Sequence, residues 1–152
     1  MSKLYKLYIY LGRVLWPLQL PLMRFFIKRT RRVYLIIRDG DQILMTRNWL
    51  SDGCLALPGG GMARSESPEE ALVRELAEEI GVKINPQEIK HVVSGVWRTH
   101  GLGFKYDIYS TKTKPSIGHV RRFEITDVRW VKIEDLNKDN VAKEVLDAIG
   151  SI

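Results

Sequence analysis

The 152-residue chain has little sulfur or imidazole chemistry to offer. It contains one cysteine, Cys54, and three histidines, His91, His100 and His119. A single thiol excludes an intrachain disulfide framework and is compatible with a reducing, cytoplasmic setting. Cys54 sits in the apolar run Cys54-Leu55-Ala56-Leu57 and reads as a buried structural thiol. The histidines are scattered without metal-ligand spacing. No Ser-His-Asp or Cys-His arrangement stands out. A membrane-spanning run is also missing. The longest uncharged stretch of the N-terminal segment, Val14 to Met23, has ten residues and contains Pro17 and Pro21, too short and too interrupted to cross a bilayer. Arg13 breaks the apolar region and no small-residue cleavage site follows, which argues against a signal peptide. There is no internal repeat, low-complexity tract or sign of a second domain.

Acidic residues are absent from the first 32 positions. That segment carries Lys3, Lys6, Arg13, Arg24, Lys28, Arg29, Arg31 and Arg32, so the net charge of +6 belongs to it, and the remainder is slightly acidic. A basic isoelectric point therefore does not argue for nucleic-acid binding by the rest of the chain. Leu4, Leu7, Tyr8, Leu11, Val14 and Leu15 follow helical spacing and predict a helix over residues 3–15. Residues 1–30 are read as a basic, amphipathic arm. Three roles are open to it: packing on the domain or across a homodimer interface, lying on anionic lipid as a peripheral membrane contact, or holding an RNA backbone.

What the chain has in abundance is a pattern between Gly60 and Val82, GGMARSESPEEALVRELAEEIGV. Ser67 is a good helix N-cap, Pro68 suits the first helical position and Glu70 completes a capping box. Gly81 supplies the stop. Val73, Leu76, Ala77 and Ile80 are expected on one face, with Glu75, Glu78 and Glu79 on the opposite side. Like charges at i+3 and i+4 repel by a few tenths of a kcal/mol per pair, and Glu78 and Glu79 also lie near the negative end of the helix dipole. A helix that tolerates this is either well solvated or holds a cation. Hard cations such as Mg²⁺ take carboxylate oxygens and keep waters that a phosphate can replace.

The stretch resembles the Nudix box, G-x5-E-x7-R-E-U-x-E-E-x-G-U with U a bulky aliphatic. Gly60, Glu66, Arg74, Glu75, Leu76, Glu78, Glu79, Gly81 and Val82 all match. The resemblance implies a hydrolase of phosphoric anhydrides that uses Mg²⁺ or Mn²⁺. It also implies site residues. Glu78 and Glu79 are the first-choice metal ligands, Glu75 a further ligand or the base that activates water, and Gly59 a carbonyl ligand. Glu66 and Arg74 would form an ion pair that orients loop and helix. Glu124, after the box, is a weaker candidate for base or extra ligand.

The rest of the chain fits that frame. Strands are expected over Val33–Ile37 and Gln42–Thr46, joined at Asp39-Gly40. Others are expected over Lys90–Arg98, Phe104–Lys112 and Phe123–Val131, with a final helix over Leu136–Ile149. His100 to Gly103 reads as a turn and Thr113 to Arg121 as an exposed connection. Strands around one helix, with a second helix at the end, give an α/β class and an α/β/α sandwich on a mixed sheet. The resemblance implies the Nudix form of it, over residues 31–152. Arg47, Arg98, His100 and Lys105 are candidates to contact phosphates. Trp49, Trp97 and Tyr106 are candidates to stack on a base. The expected substrate is a nucleoside diphosphate linked to another moiety, of the nucleotide sugar, ADP-ribose or nucleoside triphosphate type. The alternatives are an RNA 5′-end pyrophosphohydrolase and a non-catalytic nucleotide-sensing module.

Overall fold

Alternation along the first strand sets the layers. Strand β1 (Arg31–Asp39) sends Val33, Leu35 and Ile37 to one face and Tyr34 and Ile36 to the other, the two-residue period of a strand buried on both sides. The computed structural model describes residues 3–27, 31–99 and 102–152. Strands β2 (Gln42–Asn48), β3 (Gly59–Gly61), β4 (Lys90–Thr99), β5 (Leu102–Thr111) and β6 (Ile125–Lys132) join β1 in one sheet. The order is β4-β5-β1-β2-β6, with β3 paired to β1. β1 and β5 run parallel, while the other pairs are antiparallel. Helix α2 (Pro68–Ile80) covers the Val33 face with Ala71, Leu72, Leu76 and Ile80. Helix α3 (Lys143–Gly150) covers the Tyr34 face with Val145, Ala148 and Ile149. This is the α/β/α sandwich on a mixed sheet that the sequence predicts.

β1 changes partner along its length, and that change builds the site. Its end pairs with β2 at Arg38↔Ile43 and Asp39↔Gln42, across a turn in which Gly40 takes a φ of 59°. Its start pairs with β3, from Arg32↔Gly61 to Tyr34↔Gly59. Between these, the Leu35 N–H donates to the Pro58 carbonyl, and Thr46 of β2 pairs with Ala56. The segment from Ala56 to Gly61 is thus wedged between β1 and β2, which brings three glycines under α2.

Several boundaries differ from the sequence reading. Helix α1 spans Lys3–Ile27, not 3–15, and runs through both prolines. Pro17 is exposed, so the carbonyl it deprives of a donor lies on the wet side of the helix. The last helix begins at Lys143, not Leu136. Asn137 and Asn140 side chains accept from the backbone of Asp139 and Asn137, and the Asn140 amide donates to the Asp135 carbonyl. Such local bonds compete with helix. β6 starts at Ile125, because Phe123 and Glu124 lie in a turn closed onto the Arg121 carbonyl. Cys54 is half-buried and lines a surface cavity, so the fully buried thiol is not found. Of the turn expected at His100 to Gly103, His100 and Gly101 lie outside the described residues.

α1 packs on the domain through one face. Tyr5, Tyr8, Ile9, Gly12 and Trp16 recur at helical spacing and are the less exposed residues of its first 16. The Tyr5 hydroxyl donates to the Thr126 carbonyl at 3.1 Å and the Tyr8 hydroxyl to the Phe123 carbonyl at 2.6 Å. Trp49 Nε1 donates back to the Tyr8 carbonyl at 2.7 Å, with the two rings stacked 4.6 Å apart. A Cβ on Gly12 would stand 2.4 Å from Trp49 Nε1, so only glycine permits this approach.

An ion pair with one buried partner ties β1 to β5. Asp107 is 1% exposed and accepts from Arg31 Nε, from Arg31 Nη2 at 2.7 Å and from Ser94 Oγ at 2.5 Å. His91 Nε2 lies 2.8 Å from the same Ser94 oxygen. The fold therefore gathers a serine, a histidine and an aspartate that the sequence reading leaves apart. Ser94 gives its only proton to Asp107, so this is no nucleophile activated by histidine. Burial alone would raise the Asp107 carboxyl, but the bonds from Arg31 and Ser94 outweigh it and hold it below the usual aspartate value. Stability from this pair is present above that usual value and is lost as pH falls below it. Arg31→Ala would leave the buried carboxylate with one hydroxyl donor, at a cost of about 1–2 kcal/mol at pH 7, since the half-exposed guanidinium is already screened by water. The deficit should shrink in urea melts as pH falls below the ordinary aspartate value of about 3.9 toward the lower value at which the folded Asp107 protonates.

Candidate functional site

Helix α2 starts and stops as its sequence dictates. Glu70 N–H donates to Ser67 Oγ at 3.2 Å and Ser67 N–H to Glu70 Oε2 at 2.8 Å, a complete capping box with Pro68 behind it. Gly81 ends the helix in the left-handed conformation at φ 65°. The orientation of the helix is where the sequence reading fails. Ala77 is exposed, and Ala71 and Leu72 are buried in the role expected of Val73 and Ala77. At 100° per residue, Glu75 and Glu79 then fall between Ala71 and Leu72. They face the protein, not solvent. Only Glu78 of the three is exposed.

The glycine segment is what makes room for them. A Cβ on Gly60 would stand 2.4 Å from Glu75 Oε2, and one on Gly59 would stand 2.2 Å from the Val33 carbonyl. Gly59 also has a φ of 138°, a region that side chains disfavour. Gly59 reaches Glu79 through a backbone hydrogen bond. Burial first, and then the charge of Glu75, push the Glu79 carboxyl up to about 8 against that bond. Two carboxylates are thus held together in a poorly solvated place, a cost that a cation would relieve.

Two arginines organise the acids. Arg74 Nε and Nη2 grip Glu66 at 2.5 and 2.9 Å, Nη1 donates to Glu75 Oε1 at 2.8 Å, and Nη2 also donates to the Gly61 carbonyl at 2.9 Å. The expected Glu66–Arg74 ion pair is present, and it clamps the loop to both the helix and the β3 glycines. Arg121 lies 3.5 Å from Glu78 Oε2 and 3.4 Å from Glu124 Oε2. It arrives on the connection expected to be merely exposed. Because Gly81 ends the helix, the last carbonyls of α2 lack helical partners. Gly118 N–H donates to the Ile80 carbonyl at 3.0 Å and Arg121 N–H to the Glu79 carbonyl at 2.9 Å. The connection is therefore stitched to the helix end, and Glu124 comes with it.

These groups border a cavity of about 350 Å³ lined by Glu79, Glu124, Arg32, Trp16, Trp97 and Phe104, among others. Trp16 Nε1 and Arg32 Nε are buried without a hydrogen-bond partner, and the Arg32 guanidinium lies over the Phe104 ring, 5.4 Å from its centre. The sequence reading missed Arg32, Trp16 and Arg121. Arg32 reads there as one more charge of a basic run, and only the β1–β3 pairing turns it toward Glu79.

Other candidates fall elsewhere. Trp49 lines the cavity, but its ring stacks on Tyr8. Trp97 lines it too, and Arg98 lines a second cavity that shares Trp97. Arg47 lies 3.9 Å from Asp127 and is not among the lining of either cavity. Tyr106 is 7% exposed and belongs to the core beneath α3, so a stacking role for it is corrected. Lys105 is exposed on β5 away from both cavities. His100 lies outside the described residues.

The NUDIX domain family model matches residues 28–149. The chain belongs to this family. An RNA pyrophosphohydrolase of Teredinibacter turnerae is 41% identical over 71 residues, which are 46% of this chain and 41% of that protein. The chain thus spans less than half the length of that relative. A MutT-like protein of Streptomyces ambofaciens is 28% identical over 118 residues, 75% of this chain and 72% of that protein. Among solved structures, a MutT NUDIX hydrolase from Burkholderia pseudomallei superposes with a TM-score of 0.70 at 19% identity, covering 81% of this chain and 97% of that one. The match begins after α1, so the NUDIX domain carries this helix as an addition.

The clamp and the cradle predict separable effects. Arg74 holds Glu66 down to about 2, with help from the Ala63 N–H. Its contribution to stability is present above the ordinary glutamate range and lost as pH falls through that range toward 2. Glu66→Gln should lower the melting temperature at pH 7, and the difference from the parent should narrow as pH falls through the glutamate range and close only near pH 2. Gly60→Ala should displace Glu75 and remove hydrolytic turnover while circular dichroism still shows a folded domain.

Proposed function

We propose that this NUDIX domain is a metal-dependent pyrophosphohydrolase, cleaving the linkage between phosphates in a nucleoside diphosphate derivative and releasing a monophosphate. The observation that carries this is the pairing of Glu79 with Glu75 over the glycine segment, at the edge of a cavity with two buried, unpartnered donors. Carboxylates and a glycine carbonyl are the oxygen donors that Mg²⁺ or Mn²⁺ prefers. Among the described residues no three such acids are yet gathered closely enough to hold one ion. Arg74 and Arg121 hold Glu75 and Glu78 by ion pairs. Glu75, Glu78, Glu79 and the Gly59 carbonyl are the groups that would hold the ion once those contacts loosen. When bound, it would neutralise phosphate charge and acidify a water.

The chain's own residues supply the rest. Arg32 and Trp16 offer N–H donors to phosphate or nucleoside oxygens, and Trp97 and Phe104 offer flat apolar walls for a base. Glu75 or Glu124 takes the proton of the attacking water as its oxygen joins phosphorus. The bridging oxygen leaves with the other phosphate and gains a proton from solvent. Arg74 and Glu66 act by positioning Glu75. A second reading, removal of pyrophosphate from RNA 5′ ends, is favoured by the local identity to an RNA pyrophosphohydrolase.

Release of monophosphate should be followed on nucleotide sugars, ADP-ribose, nucleoside triphosphates and 5′-triphosphorylated RNA, with Mg²⁺ or Mn²⁺. Glu78→Gln and Glu79→Gln are expected to abolish turnover, and Glu79→Gln to abolish the rise in melting temperature on adding metal. Arg32→Ala should raise KM about 10- to 100-fold, as expected for losing one charge-assisted hydrogen bond. RNA as the best substrate would replace the small-molecule reading. Nucleotide binding with no turnover on any substrate would replace the enzyme with a sensing module.

A further inference from the structure

Helix α1 has two faces, and the domain uses one. Opposite Tyr5, Tyr8, Gly12 and Trp16 run Leu4, Leu7, Leu11, Val14, Leu15 and Leu18, which are 79%, 53%, 45%, 47%, 41% and 72% exposed. At 100° per residue they fall within about 100° of arc, an apolar stripe about 21 Å long. Tyr10 and Pro17 flank it on one side, and the exposed Lys6 and Arg13 lie beyond them, with the Arg13 guanidinium turned to Gly53 of the domain. The segment to residue 32 holds eight basic side chains and no acid; Arg31 is paired with Asp107 and Arg32 lines the cavity, which leaves six for an outside partner. Residues of such size in an unbroken stripe are what a folded surface normally hides. No helix among the described residues is long and apolar enough to span a membrane.

We propose that this outer face of α1 docks on an anionic lipid surface and holds the NUDIX domain there. A helix that lies in the headgroup region buries a leucine stripe among acyl chains and lets long basic side chains reach round to the phosphates. Charge selects the occupant. A second copy of α1 would bring another acid-free, basic segment against the first, and like charges would oppose the pairing. An anionic leaflet instead attracts each nearby lysine or arginine. α1 also reaches the cavity from its other side: Trp16 lines it, and so does Phe123, whose carbonyl accepts from Tyr8.

The test uses the full chain and vesicles of phosphatidylcholine, with or without 30% phosphatidylglycerol. The parent should co-sediment with the anionic vesicles at least tenfold more strongly than with the neutral ones, and less so in 0.5 M salt. Leu7→Glu/Leu11→Glu, two exposed positions outside the site, should lose that binding while its melting temperature and its metal-induced stabilisation stay within error of the parent. Equal partition into both vesicle types, or no sedimentation with either, overturns the proposal. So does a parent dimer in sedimentation equilibrium that the double substitution splits, since the stripe would then be a contact between two copies.

Discussion

The close approach of helix α2 to the wedged glycines is the constraint on which the rest depends. Two carboxylates, Glu75 and Glu79, occupy the inward half of the helix, where other residues build core. They fit only because Gly60 has no side chain and Gly59 accepts a backbone conformation that other residues resist. Placing two like charges in a space shielded from water is unfavourable by itself. The domain offsets it with a guanidinium on Glu75, a backbone N–H on Glu79, and a cradle suited to a cation.

The same economy of charge explains Arg74 and Arg121. Each bridges two acids that belong to different segments. Arg74 joins Glu66 of the loop to Glu75 of the helix, and Arg121 joins Glu78 of the helix to Glu124 of the later turn. The loop before α2, the helix itself and a turn well beyond it are drawn over one spot. The stitching is partly backbone, since the carbonyls freed by the αL stop at Gly81 accept the N–H groups of Gly118 and Arg121. A helix terminus thus serves as a docking point for the connection that closes the site.

α1 adds a wall that the family match does not include. Its aromatic residues complete the cavity with Trp16 and engage Trp49, one of the residues expected to meet substrate. The helix therefore lines the cavity with one side, while its leucine stripe faces out. One 25-residue element links the cavity to whatever surface the stripe meets.

The helix caps, the hairpin at Gly40 and the strand over Val33–Ile37 were legible because each depends on neighbours within a few residues. The identity of the acidic cluster was legible for the same reason. Its direction was not. Periodicity assigns a face to Ala77 and Val73, but only packing against β1 rotates the helix so that Ala71 and Leu72 go inward and take Glu75 and Glu79 with them. Arg32, Trp16 and Arg121 carry no local signal, because strand pairing, a remote helix and a docked connection place them. Arg47 and Tyr106 looked exposed to substrate by residue type, and their strand register sent them elsewhere. The sequence alone determined which elements form and that their acids suit a cation. Tertiary structure decided which way those acids point and which distant cations and rings meet them, since that depends on contacts between elements well separated along the chain, as between Arg121 and Glu78.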